Sequence, residues 1–230
     1  MNEVDERPEA PVFEEQLTGL FAPDVYRFAL PLLFLAGIAW GAGFTIPAVL
    51  LGGLGLFVVA FFRNPDRELP PGDHVVVAPA DGRVMWVDEI ERDGRKALRI
   101  GIFLSVFDVH VNRAPVAGRV VSLERSGDAY LAAFNAEGES RNVQLAMGLE
   151  TRWGRIDVVQ ITGLIARRIV CQPKVGDFLA RGVRYGLIRF GSRTDVVLPL
   201  GTGARVAKGD TVRGGKTILA ELPASPGSEA

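Results

Sequence analysis

The chain has 230 residues, 48% hydrophobic and 23% charged, with 26 Lys+Arg against 27 Asp+Glu. That near-neutral balance excludes a strongly basic nucleic-acid binder. One cysteine, Cys171, excludes an internal disulfide and a multi-cysteine metal site, and two histidines, His74 and His110, are too few for a histidine-rich zinc centre, so no metal is expected.

The average hides three unlike segments. Residues 1–27 hold seven acids and two bases, a net −5; residues 28–62 hold no charge; residues 63–230 hold 20 acids and 24 bases, a net +4. The first segment reads as a disordered acidic extension. The second, 35 uncharged residues, would make a helix of about 50 Å, longer than a hydrocarbon core of about 30 Å. Gly41, Gly43 and Pro47 interrupt it near the middle, so a helical hairpin over 28–41 and 46–62 is expected, spanning the membrane or only entering it. A buried pair of core helices is the alternative. Arg27 before the hairpin and Arg63 and Arg67 after it place both ends, and the domain that follows, on the cytoplasmic side of the cell membrane. The acidic flank and the long apolar run disfavour a signal peptide.

After Pro70-Pro71-Gly72 the pattern turns to short β-branched runs separated by Gly, Pro and Asp, which makes residues 63–222 a β-rich domain and 223–230 a flexible tail. Ala78-Pro79-Ala80-Asp81-Gly82-Arg83-Val84 repeats as Ala114-Pro115-Val116-Ala117-Gly118-Arg119-Val120, and Val175-Gly176-Asp177 is echoed by Lys208-Gly209-Asp210. Such a rhythm predicts a mainly β sandwich or barrel. It resembles the sandwiched hairpin of lipoyl and biotinyl carriers, a barrel-sandwich. A carrier needs a lysine on a hairpin turn, and Lys174, Lys208 and Lys216 lack the flanking pattern. A non-catalytic membrane-anchored adaptor is the rival reading. Cys171, in Ile169-Val170-Cys171, is expected to be a buried structural thiol, and His74 a surface residue.

Four elements carry chemistry. They are Phe61-Phe62-Arg63-Asn64-Pro65-Asp66-Arg67, Pro79-Ala80-Asp81-Gly82, Phe103 to Pro115 with His110 at its centre, and Gly186 to Pro199 with Gly191-Ser192. In this order, from about residue 28 to 222, they resemble the short prokaryotic form of phosphatidylserine decarboxylase. The resemblance implies a proenzyme that cuts itself between Gly191 and Ser192 into a large chain, 1–191, and a small chain, 192–230. Ser192 would become a covalent pyruvoyl cofactor that forms a Schiff base with the substrate amine, and phosphatidylserine would lose CO2 to give phosphatidylethanolamine. Archaetidylserine is an alternative substrate with the same head group.

His110 is the candidate for proton transfer, having a pKa near the working range. By the resemblance, Asp81 belongs to the processing machinery. Longer members carry a second histidine three positions after the first, where this chain has Arg113; either His110 serves both steps or processing uses another arrangement. Arg113, Arg189 and Arg193 are candidates for the lipid phosphate, because guanidinium forks match its oxygens. Partners are then the phospholipid and the membrane, with a homo-oligomer left open.

Overall fold

The chain folds as a helical hairpin set on a β domain; the computed structural model describes residues 11–92, 94–131, 141–164, 168–189 and 192–223. Helices α1 (Asp24–Gly41) and α2 (Thr45–Phe61) are the expected hairpin. Asp24 sits in the first turn of α1, where a carboxylate complements the helix dipole. Gly43, at φ +80°, reverses the chain between the helices. Pro47 falls in the first turn of α2, where its missing N–H costs nothing. The helices approach closely at Gly55, where an added Cβ would lie 2.6 Å from Leu33 Cδ2. Away from the domain the hairpin is apolar on its outside: Phe34, Trp40, Phe44, Ile46 and Leu50 are each 63–75% exposed. By length and composition α1 can cross a membrane, while α2 has 17 residues.

At its foot the hairpin joins the β domain. Val25, Val58, Phe61 and Phe62 are buried with Val109, Val111 and Leu187. The acidic segment differs from its expected disorder wherever it is described. Phe13 N–H donates to Phe178 O and Phe178 N–H to Pro11 O, both at 2.9 Å. Asn64 Nδ2 donates to the carbonyls of Leu17 and Gly19 at 2.8 and 2.9 Å, and Glu15 pairs with Arg184. The reason is local. Among the acids stand Phe13, Leu17 and Ala22, which pack into the two cores, and a segment-wide charge count cannot register them. Residues 1–10 and 224–230, the latter nearly all of the expected tail, lie outside the described residues.

The strands are β1 (Val75–Val77), β2 (Gly82–Arg92), β3 (Arg95–Leu104), β4 (Val111–Arg113), β5 (Gly118–Ser126), β6 (Gln144–Thr151) and β7 (Gly154–Ile161), followed by β8 (Ile169–Cys171), β9 (Phe178–Leu179), β10 (Arg184–Ile188), β11 (Ser192–Pro199), β12 (Gly203–Ala204), β13 (Thr211–Val212) and β14 (Ile218–Glu221). They form an eight-stranded antiparallel sheet, β13-β2-β3-β11-β7-β6-β5-β9, and two of three strands, β1-β14-β12 and β4-β10-β8. Val84, Ile100, Ile102, Val120, Ile156 and Val196 fill the main core between them.

The sequence repeat is a structural repeat. Val84 N–H donates to Asp210 O at 2.9 Å and its carbonyl accepts from Gly209 at 2.8 Å; Val120 N–H donates to Asp177 O at 2.9 Å and its carbonyl accepts from Gly176 at 2.8 Å. In both turns the Asp carboxylate accepts the N–H three residues earlier, from Lys174 and Ala207, at 2.8 Å. The copies also meet each other: Val77 N–H donates to Pro115 O and Arg113 N–H to Pro79 O, at 3.0 and 2.8 Å. Gly82 and Gly118, opening β2 and β5, sit where a side chain would collide with a crossing backbone. An added Cβ would lie 2.2 Å from Phe103 O and 2.9 Å from Glu150 O, respectively.

Candidate active site

Strand β11 runs through the middle of the large sheet, between β3 and β7, and is buried from Ser192 to Leu198. The preceding strand, β10, ends at Ile188 in the small sheet with β4 and β8. The chain therefore changes sheets between Ile188 and Ser192; Gly191 lies outside the described residues. Ser192 stands opposite Leu104, and its Oγ is fully buried without a hydrogen-bond partner among the described residues. Buried hydroxyls are nearly always bonded, so an orphaned one at the start of a central strand calls for an explanation.

His110 lies just ahead of β4, the strand that pairs with β10, and its carbonyl receives a long contact from Ile188 N–H at 3.4 Å. The ring is 2% exposed. Its Nδ1 is 3.0 Å from Asp108 O. A carbonyl can only accept, so Nδ1 carries the proton and Nε2 keeps its lone pair. Burial pushes the imidazole pKa down to about 4; the Asp108 carbonyl and carboxylate oppose this and the Arg63 charge adds to it. His110 is thus a neutral imidazole at pH 7.

The other residues expected at the site are placed differently. Asp81 stands where the second repeat has Ala117. Its Oδ2 accepts from Arg67 and its Oδ1 from Gly214 N–H, both at 2.8 Å; it is hydrogen-bonded to neither His110 nor Ser192. Arg113 spends its guanidinium on the carbonyls of Gly182 and Pro65, at 3.1 and 2.8 Å, and burial lowers its pKa to about 10. Arg189 is paired with Asp24 and lies over the Phe28 ring. Arg193 is buried beneath Trp86, 4.2 Å from the ring centroid, with Nε 2.6 Å from Asp195 Oδ1. None of these three presents a guanidinium to an incoming phosphate, because each found a carboxylate or carbonyl inside the fold. Cys171 is a free thiol whose pKa burial raises to about 12, as suits an inert structural residue.

Two groups of residues were not anticipated. Gln160 Nε2 donates to Asn112 Oδ1 at 2.7 Å, and Asn112 reaches Thr194 Oγ1 at 3.5 Å. These side chains tie β4 of the small sheet to β7 and β11 of the large one, beside Ser192; Asn112, two residues from His110, was the available signal. The second group is a set of exposed cations at the hairpin foot. Its signal was Arg213-Gly214-Gly215-Lys216, in which the sequence marks only Lys216, as a candidate carrier lysine.

A buried histidine thus packs on the foot of an apolar hairpin joined to a β domain. The comparisons make this specific. The model of the family described as phosphatidylserine decarboxylase matches residues 54–220. A phosphatidylserine decarboxylase proenzyme from Symbiobacterium thermophilum is 47% identical over 208 residues, covering 89% of this chain and 96% of that one. One from Citrifermentans bemidjiense is 46% identical over 206 residues, covering 87% and 94%. A more distant proenzyme, from Burkholderia ambifaria, is 41% identical over 210 residues, covering 87% and 97%. The chain belongs to the phosphatidylserine decarboxylase family, in its short form, and its activity is the decarboxylation of phosphatidylserine.

Proposed function

We propose that the chain makes its own pyruvoyl group from Ser192 and works at the cytoplasmic face of the cell membrane, anchored by the α1–α2 hairpin. The observation that carries this is the Ser192 hydroxyl, buried and unpartnered directly after Gly191. Its Oγ can attack the preceding carbonyl, which glycine leaves open. An ester then forms between Gly191 and Ser192 Oγ as the amide C–N bond breaks, and the freed nitrogen takes a proton. Loss of the Ser192 α-proton expels the Gly191 carboxylate, and water replaces nitrogen to leave a ketone and ammonia. Neutral His110 takes the hydroxyl proton in the first step and returns a proton to the substrate carbon after CO2 leaves, so one histidine serves where longer members have two. The pyruvoyl ketone supplies the electron sink that loss of CO2 from an amino acid requires.

Asp81 acts at a distance in this reading: it fixes Arg67 and the Gly214 turn next to the site. The repeat-related turns support a lipoyl-like barrel-sandwich as the scaffold, with Gln160–Asn112 bracing its sheets. Large chain 1–191 and small chain 192–230 stay together because β11 hydrogen-bonds on both sides to large-chain strands.

Intact-mass spectrometry tests this. Two chains divided between Gly191 and Ser192 are expected, the smaller beginning with a ketone in place of Ser192. A single uncut chain that still decarboxylates, or full activity in Ser192→Ala, would refute it.

A further inference from the structure

A hollow of about 470 Å³ at the hairpin foot holds charges that the chemistry above leaves unused. Its wall includes Arg63, Asp66, Arg67, Asp81, Arg213 and Lys216. Both acids are already matched, Asp81 by Arg67 at 2.8 Å and Asp66 by Arg184. Arg63 donates to two carbonyls, Ala60 O at 2.8 Å and Phe107 O at 2.6 Å, which leave its positive charge uncompensated. Arg213 and Lys216 are exposed, and no carboxylate pairs with either among the described residues.

The two small-chain cations stand on a fixed platform. The N–H groups of Lys216 and Thr217 both donate to Arg213 O at 3.0 Å, and Arg213 N–H donates to Thr217 Oγ1 at 2.9 Å. Asp81 holds the same turn through Gly214 N–H. The hollow also lies where a head group would be. Arg63 follows α2 within two residues, and the carbonyl it grips belongs to Phe107, a residue that is 72% exposed and whose ring meets that of Phe57 of α2, centroids 6.2 Å apart. The exposed apolar hairpin and Phe107 mark the lipid side, and charged residues begin immediately below them. Val109, next to His110, lines the same hollow. The loop from Leu104, opposite Ser192, to His110 therefore borders both the hollow and the reacting serine.

We propose that this hollow binds the phosphodiester of the phospholipid substrate, with Arg213 and Lys216 as its anchoring cations and Arg63 reinforcing the field. The assignment rests on the reading that Ser192 becomes the reactive group. In phosphatidylserine the carboxylate departs as CO2, so the phosphodiester is the anion common to substrate and product. An anchor built for it holds the head group through the whole reaction, and it requires fixed cations outside the apolar core in which CO2 is lost. Arg113, Arg189 and Arg193, the arginines nearest the sequence motifs, are spent on structure; Arg213 and Lys216 are not.

The test uses the whole membrane protein in detergent, with a short-chain phosphatidylserine below its micelle concentration and, in parallel, phosphatidylserine in phosphatidylcholine vesicles. Arg213→Gln with Lys216→Gln should still be cut into two chains. Its KM for the dispersed substrate should rise about tenfold or more with kcat little changed, the pattern of lost uniform binding. The charge-preserving pair Arg213→Lys and Lys216→Arg should raise KM by much less than the neutral pair. Should the double variant fail to process, the single variants carry the same measurement. An unchanged KM for the dispersed lipid overturns the assignment, as does a loss seen only on vesicles, which would mean general attraction to an anionic surface. A wild type that never forms two chains would instead overturn the pyruvoyl reading, and is seen separately on the same gels.

Discussion

The imidazole of His110 lies against the ring of Phe61, centroids 4.2 Å apart and planes at 36°. One residue is the proposed proton carrier and the other the last residue of the second hairpin helix, so the apolar anchor forms one wall of the histidine's pocket. That wall is part of the burial that holds the His110 pKa near 4.

The pH dependence follows from this. Because the folded ring titrates near 4 and an unfolded one near 6.5, acid favours the unfolded chain, which takes up a proton the folded chain refuses. The stability associated with His110 is full above pH 6.5 and lost progressively as pH falls toward 4. If the neutral ring is the base in the proposed self-cleavage, that step should have its acid limb nearer 4 than 6.5. Phe61→Leu, by admitting water to the ring, should move that limb upward. Cleavage rates from pH 4 to 8 measure this, and a limb at 6.5 shared by both proteins would contradict it.

The buried pair Arg193–Asp195 gives a second prediction. Arg193 lies beneath Trp86, and Gly101 makes room for the pair, since an added Cβ there would come within 2.9 Å of Asp195 Oδ1. Asp195→Ala strands a guanidinium in the core and should cost about 3–5 kcal/mol. Replacing both residues with Met and Leu should cost much less. Urea unfolding in an uncut Ser192→Ala background compares the two, and equal losses would show that the charge pairing is not what matters.

The repeat supplies a third. Gly82 and Gly118 are related positions with unequal room, an added Cβ lying 2.2 Å and 2.9 Å from the facing carbonyls. Gly82→Ala should abolish soluble folded protein or lower its melting temperature far more than Gly118→Ala. Thermal unfolding of the two variants decides, and a reversed order would mean that the β2–β3 crossing relaxes easily.

Much of this architecture was legible beforehand for identifiable reasons. The hairpin showed because 35 uncharged residues with glycines in the middle permit few other structures, and the β repeat showed because Ala78–Val84 returns as Ala114–Val120 and Gly176-Asp177 as Gly209-Asp210. What stayed hidden depended on partners distant in sequence. Arg189 finds Asp24 across 165 positions and Arg184 finds Glu15 across 169, so nothing local marks those arginines as structural. The same limit concealed the free cations: Arg213 and Lys216 gain meaning only once Asp81 and Arg63 are brought beside them.

The described part of the acidic segment gives the last prediction. Asn64, in the motif after α2, holds residues 17–19 through two Nδ2 hydrogen bonds, and its own N–H donates to Leu20 O at 2.7 Å. This side chain fastens the segment to the hairpin foot, next to Phe61 and Phe62. Asn64→Leu keeps the volume but strands the buried Leu17 carbonyl, at a cost of about 1–3 kcal/mol, while the carbonyl of exposed Gly19 turns to water. Glu15→Gln removes one carboxylate from Arg184 but leaves Asp66 paired with it, so its effect should be the smaller. Limited proteolysis reads the difference: in Asn64→Leu the segment before α1 should be cut markedly faster than in wild type, while Glu15→Gln changes little. Equal resistance in all three proteins would mean that backbone bonds from Phe13 to Phe178 hold the segment without Asn64.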